Sequence, residues 1–311
     1  YDMSWTGATN NPTLTASSTW YELEIYGSLT TISSMTWRAD LDEVEFMATS
    51  GSHTITSNGL SFGSELSFEG DGTWSLADNL TTTDELSFED GTFNTANYNM
   101  NIASIDSWGL YETVNLGTSD ITITPTSSAS AYNSTVDFGM WTTLDADYAD
   151  FIISNPSGYA VAMELGAHYY NDITFNNSSY SVSFPEDANC MDVTFGEDMN
   201  ISFGEAFSFN DVVFANNDFV TFNSGDAYQV SGSITASADC ENYITWTSSS
   251  PGTAAAWSVN SDQSVSNIIV MGMSANLIVG NITCDECADV RNNTGGSNDW
   301  SFTNKRSART L

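Results

Sequence analysis

The stretch 65–106, ELSFEGDGTWSLADNLTTTDELSFEDGTFNTANYNMNIASID, contains a near repeat. Its opening segment, Glu65–Thr73, returns one residue shorter as Glu85–Thr92. The step between the two copies is about 20 residues, within the range of structural repeats. In both copies Leu and Phe alternate with Ser and Glu, so the apolar side chains fall on one face of a strand and the polar ones on the other, wet face. The repeat therefore predicts one strand of a wall that returns at this step and carries no catalytic group.

A second repeat appears further along the chain with nearly the same step. Each copy is followed by another alternating run that ends in Phe. Two strands per unit of about 20 residues predict an all-β fold, a parallel β-helix or solenoid, in which coils stack and inward Phe side chains form a ladder. A barrel or a two-sheet β-sandwich does not need the same residues to return at this step, and the sandwich is kept as the alternative. The repeated segments are Asp172–Phe175, Asp192–Phe195 and Asp211–Phe214, and the runs after them end in Phe184, Phe203 and Phe222.

The solenoid is expected over residues 45–304, with irregular coils at 107–171, where the β pattern continues but the spacing is lost, as if coils carried insertions. Residues 1–44 contain aromatic-rich alternating runs without the regular step. Because the last coil of a solenoid exposes an apolar face, we predict that 1–44 is an N-terminal β cap or a donated strand for assembly.

The charge balance is unusual because cations are missing. The chain has 40 acidic and 5 basic residues, which gives a net charge of −35. Such a chain repels phosphate, so nucleic acids and anionic membrane surfaces are excluded as partners. The chain contains no run of 18 apolar residues, so no transmembrane helix is predicted. The first residues, Tyr1–Trp5, have no signal-peptide pattern.

Three of the five cations, Lys305, Arg306 and Arg309, lie in a basic tail at 305–311; the others are Arg38 and Arg291. We expect this tail to dock on the acidic surface of another copy and to offset the repulsion between copies. The predicted partners are therefore copies of the same chain in a homopolymer.

Several runs resemble coils of the Ser/Thr/Asn-rich parallel β-helix proteins of bacterial surfaces and phage fibres. They are residues 72–87, 91–101 and 243–253, and the closing segment 292–303 is similar to the way such repeat regions finish. The resemblance covers roughly 45–303. It implies an extracellular, cell-surface or virion location and a structural or adhesive role, and it brings no catalytic residues.

Catalytic groups are scarce. His53 and His168 stand alone, without a second His at metal-ligand spacing. A polysaccharide lyase of this fold needs a cation beside Ca²⁺-binding carboxylates, but Arg38 and Arg291 flank no Asp cluster. The Asp pair and His-Gly of pectin-type hydrolases are also missing. We therefore expect no enzyme and no catalytic residue, and a polysaccharide lyase-like activity is only a third alternative.

No cofactor is expected, apart from Ca²⁺, for which two acidic runs are candidate ligands. Asp145, Asp147 and Asp150, and the run 40–45, offer hard oxygen ligands at short spacing. Neither has the turn Gly of a Ca²⁺ loop, so a solvated acidic face is the favoured interpretation.

The four cysteines and the sequons suggest modification of a secreted chain. Cys284 and Cys287 are expected to form a local disulfide. Cys190 and Cys240 take matching places before strand runs, but two regular coils separate them by more than a disulfide spans, so they pair only if 211–241 leaves the stack. Seven sequons, about the number that chance gives for this composition, are candidate glycosylation sites: Asn79, Asn133, Asn176, Asn177, Asn200, Asn281 and Asn292.

The first functional hypothesis is an extracellular structural subunit of a filament, surface appendage or virion fibre, which assembles through its ends and its basic tail. The alternative is a glycan-binding adhesin or fibre module that uses exposed aromatic residues such as Trp74, Trp108 or Trp141.

Overall fold

The computed structural model describes residues 1–15, 21–37, 43–107, 109, 111–129, 134–139, 142–239, 241–250, 253–275, 280–289 and 300–304. These residues contain strands and turns but no helix, and the strands pair in parallel. The fold is a β-solenoid of about 12 turns with roughly 21 residues per turn, so the predicted fold class is confirmed. The sandwich alternative is wrong, because sandwich sheets are antiparallel. The chain divides into two compact units, Tyr1–Ser154 and Asn155–Leu311.

The described part of unit 1 consists of short strands separated by tight turns. They are β1 (Met3–Ser4), β2 (Thr13–Leu14), β3 (Glu22–Ile25), β4 (Leu29–Thr30), β5 (Thr36–Trp37), β6 (Glu43–Phe46), β7 (Ser52–Thr56), β8 (Ser61–Phe62), β9 (Glu65–Phe68), β10 (Thr73–Leu76), β11 (Leu80–Thr82), β12 (Glu85–Phe88), β13 (Thr92–Asn94), β14 (Met100–Ile102), β15 (Ser104–Ser107), β16 (Thr113–Asn115), β17 (Asp120–Ile123), β18 (Val136–Asp137), β19 (Thr143–Asp145) and β20 (Asp150–Ser154).

Each coil of unit 1 contributes one strand to each of three walls. The first wall has the order β1-β4-β7-β10-β13-β16-β19, and the second has β8-β11-β14-β17-β20, with β2-β5 as a separate pair. The third wall has the order β3-β6-β9-β12-β15-β18 and contains both ELSF segments. Each of these coils holds three very short strands, whereas the two strands per coil predicted from the second repeat occur where that repeat lies, in the first coils of unit 2.

The opening repeat is in register, coil on coil. Leu66 lies beside Leu86 and Phe68 beside Phe88 in neighbouring strands, and all four side chains are buried in the interior. The rings of Phe68 and Phe88 stack with their centroids 5.5 Å apart. The predicted inward face of the repeat is therefore confirmed.

Residues 1–44, for which the sequence predicts a cap or a donated strand, hold strands of the same three-walled kind. β1 pairs with β4, β2 with β5 and β3 with β6, all in parallel. Met3 lies beside Leu29, whereas Glu22 lies beside Glu43, so the step to the next coil is longer in the first wall than in the third. Because the step between coils varies, these coils do not show a fixed repeat length in the sequence.

The irregular spacing at 107–171 has a simple source within unit 1. Asp120 lies beside Asp150 and Thr113 beside Thr143, so this coil is about half as long again as a regular one. The preceding coil has the usual length, since Thr92 lies beside Thr113. The extra residues therefore fall between β17 and β18, in the segment 124–135.

Unit 2 has longer strands in its first coils. Its described strands are β21 (Val161–Glu164), β22 (Tyr169–Asn176), β23 (Ser181–Phe184), β24 (Ala188–Thr194), β25 (Asn200–Phe203), β26 (Phe207–Phe214), β27 (Phe219–Phe222), β28 (Ala227–Val230), β29 (Ile234–Ala236), β30 (Ile244–Ser248), β31 (Ala255–Val259), β32 (Gln263–Ser266), β33 (Ile268–Met271), β34 (Met273–Ala275), β35 (Ile282–Asp285), β36 (Ala288–Asp289) and β37 (Trp300–Thr303).

The walls of unit 2 follow the orders β22-β24-β26-β28-β31-β34, β21-β23-β25-β27-β30-β33-β36 and β32-β35-β37, and β29 also pairs with β26. Asp172, Asp192 and Asp211 are register neighbours, as the second sequence repeat predicts. Inside, Phe184, Phe203 and Phe222 stack almost in parallel, with centroids 5.1 and 5.5 Å apart. Phe175, Phe195 and Phe214 form a second ladder. The core of the unit is thus an aromatic column.

Candidate functional site

The outer face of the third wall of unit 1 carries a dense set of carboxylates, which we call the carboxylate array. Strands β3, β6, β9 and β12 have the sequences ELEI, EVEF, ELSF and ELSF. Parallel pairing places equal positions of these strands side by side, about 4.8 Å apart. The array consists of Glu22, Glu24, Glu43, Glu45, Glu65, Glu69, Glu85 and Glu89.

The array forms rows that run across the strands. Glu22, Glu43 and Glu65 are successive register neighbours in one row. The next row on the same face begins with Glu24 and Glu45 and continues with Ser67. No Lys or Arg occurs among the residues that the structure describes, so no cation from those residues lies between the rows.

The serine side chains in the middle of the array are less exposed to solvent than the sequence predicts. Ser67 and Ser87, expected on the solvent face, are buried. The Ser67 hydroxyl donates to Glu69 Oε1 at 3.3 Å and also hydrogen-bonds Glu43. Two longer glutamate side chains thus contact Ser67. The expectation that both serines face solvent was wrong.

Burial and mutual repulsion change the acidity of the array. Burial, reinforced by the charges of Glu69, Glu22 and Glu43, raises the pKa of Glu45 to about 7. Burial and the neighbouring Glu43 and Glu85 raise the pKa of Glu65 to about 8. The pKa values of Glu43, Glu69 and Glu85 are also raised, with burial as the first cause. The array therefore holds protons that isolated carboxylates release.

Three members of the array come close enough to share one ion. One carboxylate oxygen each of Glu22, Glu43 and Glu45 lies within 4.8 Å of the others. Glu45 is only 8 % exposed, whereas Glu22 is exposed. The sequence does contain a signal for this array, namely the recurring Glu at the first position of four strands, but only the register shows that these positions align.

The predicted weak Ca²⁺ ligands Asp145, Asp147 and Asp150 are not brought together in this way. Asp145 ends β19, Asp147 lies in an exposed turn, and Asp150 begins β20. Asp150 lies beside Asp120, and Asp145 beside Asn115. Among the described residues, the three are not a group with ligand atoms in mutual reach. In the other candidate run, residues 40–42 lie outside the described residues, while Glu43 and Glu45 belong to the array.

The cysteines take different positions. Cys284 and Cys287 form a disulfide, with Cα atoms 5.7 Å apart. Cys190 has a free, buried thiol, and burial raises its pKa. Its register neighbour is Phe209, whose own neighbour one coil further is Val230. The place predicted for Cys240 is thus occupied by Val230, which argues against a Cys190–Cys240 pair; Cys240 itself lies outside the described residues.

Five of the seven sequon asparagines fall within the described residues, and all five are exposed: Asn79, Asn176, Asn177, Asn200 and Asn281. Some of their amide groups already bridge neighbouring coils. Asn79 Oδ1 accepts a hydrogen bond from Asn99 N at 3.0 Å, and Asn281 Nδ2 donates to Asp262 at 3.2 Å. Asn133 and Asn292 lie outside the described residues.

The aromatic platform expected of Trp74 is absent, because its side chain is fully buried. Trp74 lies in β10 on the same strand face as Leu76, and its ring packs against Phe46 and Phe68. Trp108, Trp141 and the basic tail with Lys305, Arg306 and Arg309 lie outside the described residues, as do Arg38 and Arg291.

The two histidines are embedded in local contacts. His53 Nε2 lies 3.1 Å from the Ser50 carbonyl oxygen, and its ring is 5.5 Å from that of Trp74. His168 is half-buried in the turn before β22.

Comparisons with known proteins add no functional assignment. Among the described residues, no helix has the length and apolar character needed to cross a membrane. The chain matches no protein-family model, no curated protein and no solved structure.

Proposed function

We propose that this protein is an extracellular structural subunit that assembles with copies of itself into a filament, a surface appendage or a virion fibre. The single observation that carries the proposal is that inward side chains of the first coil are partly exposed. Its inward side chains Met3, Leu14 and Leu23 are only half-buried, although their register neighbours in the next coil are buried. A second copy seated on this coil would complete the burial.

The strand edges support the same role. β1, β2 and β3 each pair on one side only within the described residues. β37, in the last described coil, likewise pairs only with β35, and its Trp300 and Phe302 are half-buried. An unpaired strand edge is a template for another chain, and addition of one strand to another is a common mode of protein recognition.

The resemblance of residues 45–303 to Ser/Thr/Asn-rich β-helix proteins of bacterial surfaces and phage fibres supports an extracellular location. In this role the walls are structural and the protein is not an enzyme. The glycan-binding alternative loses Trp74 as a platform and rests on Trp108 and Trp141. The basic tail, with Lys305, Arg306 and Arg309, is proposed to reduce repulsion between acidic copies.

The test is assembly of the purified chain, followed by sedimentation and negative-stain electron microscopy at increasing protein concentration. We expect concentration-dependent oligomers that lengthen into regular polymers. Leu23→Glu should prevent assembly with little change in melting temperature, because Leu23 is already half-exposed in the single chain. Tyr148→Glu is the matched control, since it adds the same charge at an exposed turn.

A wild-type chain that stays monomeric at all concentrations would contradict the proposal. Equal loss of assembly in both variants would show that added charge, and not the first coil, controls association. For the tail, deletion of 305–311 should weaken assembly at low salt, and unchanged assembly would exclude its role.

A further inference from the structure

A group of oxygen atoms is buried at the corner between the third and the first wall of unit 1. It contains the hydroxyl of Ser107 at the end of β15, the carboxylate of Glu112 just before β16, and the hydroxyl of Thr142 just before β19. Glu112 is 1 % exposed, and Ser107 and Thr142 are each 4 % exposed. These side chains therefore converge in a space that is closed to solvent, away from the carboxylate array.

The three side chains have too few hydrogens for their contacts. The hydroxyl oxygens of Ser107 and Thr142 lie 2.5 and 2.6 Å from Glu112 Oε1, and they lie 2.6 Å from each other. Each hydroxyl has one hydrogen, and an ionised carboxylate has none. Two hydrogens can serve only two of the three contacts, so the third contact brings the lone pairs of two oxygens together. A positive charge beside these oxygens would remove that repulsion.

The second carboxylate oxygen of Glu112 is an independent observation. Glu112 Oε2 is buried and has no hydrogen-bond partner. A Cβ built on Gly109 would lie 2.3 Å from Glu112 Oε2 and 2.0 Å from the Glu89 carbonyl oxygen, so these two acceptors lie close to the same point. No Lys or Arg occurs among the described residues. A buried carboxylate oxygen without a donor or a counter-charge is unfavourable.

We propose that this corner binds a hard cation, with Ca²⁺ as the best match. The ligands are the Glu112 carboxylate, the hydroxyls of Ser107 and Thr142, and the Glu89 carbonyl oxygen. Oxygen-only sets favour Ca²⁺ or Mg²⁺ over zinc and copper. Ca²⁺ accepts carboxylate and carbonyl oxygens in flexible geometry, whereas Mg²⁺ demands a near-ideal octahedron.

The position of the ligands gives the ion a role in the fold. Glu89, Glu112 and Thr142 belong to three successive coils, and Thr142 lies at the end of the coil that the segment 124–135 extends. The ion therefore fastens the extended coil to the two coils before it. This role is separate from assembly through the first coil.

The experiment uses the whole chain after treatment with a chelator. CaCl₂ is titrated into the protein in a calorimeter, in NaCl at physiological ionic strength, and MgCl₂ is titrated in a parallel run. We expect saturable Ca²⁺ binding with a dissociation constant of about 10⁻⁴–10⁻³ M, the range of Ca²⁺ sites with few charged ligands. Saturating Ca²⁺ should also raise the melting temperature, because the ion binds the folded chain.

Matched variants locate the site. Glu112→Gln should weaken Ca²⁺ binding at least tenfold, because it removes the only charged ligand and keeps the shape of the side chain. Its control is Asp147→Asn, which removes one charge from an exposed turn and should change the affinity less than twofold. Thr142→Val removes a ligand oxygen and should weaken binding several-fold, whereas Thr142→Ser keeps the hydroxyl and should bind like the wild type. Circular dichroism checks that each variant folds, and the Thr142 pair decides if Glu112→Gln does not.

Three outcomes would overturn the proposal. The first is the lack of saturable heat and of any thermal shift with Ca²⁺, which would indicate that a proton and not a metal ion neutralises Glu112. The second is wild-type affinity in Glu112→Gln or in Thr142→Val. The third is an equal loss in Glu112→Gln and Asp147→Asn, which would indicate a diffuse ion atmosphere around an acidic protein instead of a site. None of these outcomes depends on whether the chain forms polymers.

Discussion

At the scale of the residue, the interior is built by identical side chains stacked one coil above another. Phe203 is the clearest case, since its ring lies between those of Phe184 and Phe222 with interplanar angles of 9° on both sides. Parallel pairing repeats each inward position about every 4.8 Å, a distance that suits stacked rings. Each ring therefore stabilises two neighbouring coils at once.

We predict that Phe203→Ala lowers the free energy of unfolding by about 3–5 kcal/mol, because it removes a fully packed ring and leaves a cavity between two others. The control is Phe219→Ala in the neighbouring strand β27, where the side chain is 43 % exposed. This variant should cost about 0.5 kcal/mol or less. Denaturant titration checks both values, and similar losses in the two variants would contradict a ladder-dependent core.

At the scale of the element, the turns between strands decide whether coils can stack closely. Gly91, between β12 and β13, has φ = 74°, in the left-handed region. A Cβ at this position would lie 2.2 Å from the Gly70 carbonyl oxygen of the coil below. The turn therefore needs Gly for two reasons, its backbone conformation and its closeness to the neighbouring coil.

We predict that Gly91→Ala destabilises unit 1 by about 3 kcal/mol or more, because the new methyl group forces the two coils apart. Gly59→Ala is the matched control. Gly59 has φ = 76°, but no atom lies within 4 Å of a Cβ built there. It should lose only the conformational cost of about 1–2 kcal/mol. Thermal unfolding of the two variants separates strain from contact, and equal melting temperatures would show that the close approach does not matter.

At the scale of the whole molecule, acidity dominates. The chain carries a net charge of −35, and none of its cations falls among the described residues. Within unit 1 the carboxylate array concentrates this charge on one wall. In unit 2, burial raises the pKa of Asp218 to about 7, although the Ala215 and Met199 backbone amides donate to it. Folding therefore takes up protons at both places.

We predict that the protein is more stable at pH 5.5 than at pH 8.5, by several degrees in melting temperature. The folded-state pKa values of Glu45, Glu65 and Asp218, about 7, 8 and 7, lie above those of the unfolded chain. The folded state then binds more protons, so stability is lost as pH rises from about 4 towards 8. Melting curves in the presence of a chelator test this.

A variant assigns the effect to the array. Glu65→Gln should flatten the pH dependence, whereas Asp147→Asn, at an exposed turn, should leave it unchanged. A melting temperature that does not change between pH 5.5 and 8.5, or one that rises with pH, would be inconsistent with protonated carboxylates in the folded array. Added NaCl should raise the melting temperature at pH 8.5, because salt screens the repulsion.

Much of the fold is readable from local periodic features. The alternation in ELSF selects the inward Leu and Phe, and the regular return of that segment selects a solenoid, because both depend only on strand geometry and coil length. The inward Phe residues, Phe203 among them, follow from the same two periods. A ladder of stacked rings is thus encoded in the spacing.

The contacts between coils could be seen only in the tertiary structure, because turn lengths set the register of the strands and vary along the chain. Longer turns conceal the pairing of Met3 with Leu29, and an extended coil conceals that of Asp120 with Asp150. The carboxylate array shows the consequence. The Glu residues of ELEI and EVEF are visible in the sequence. Whether Glu22 meets Glu43 and Glu45 depends on which residues the turns bring side by side, and the repulsion and burial of these carboxylates follow from that juxtaposition.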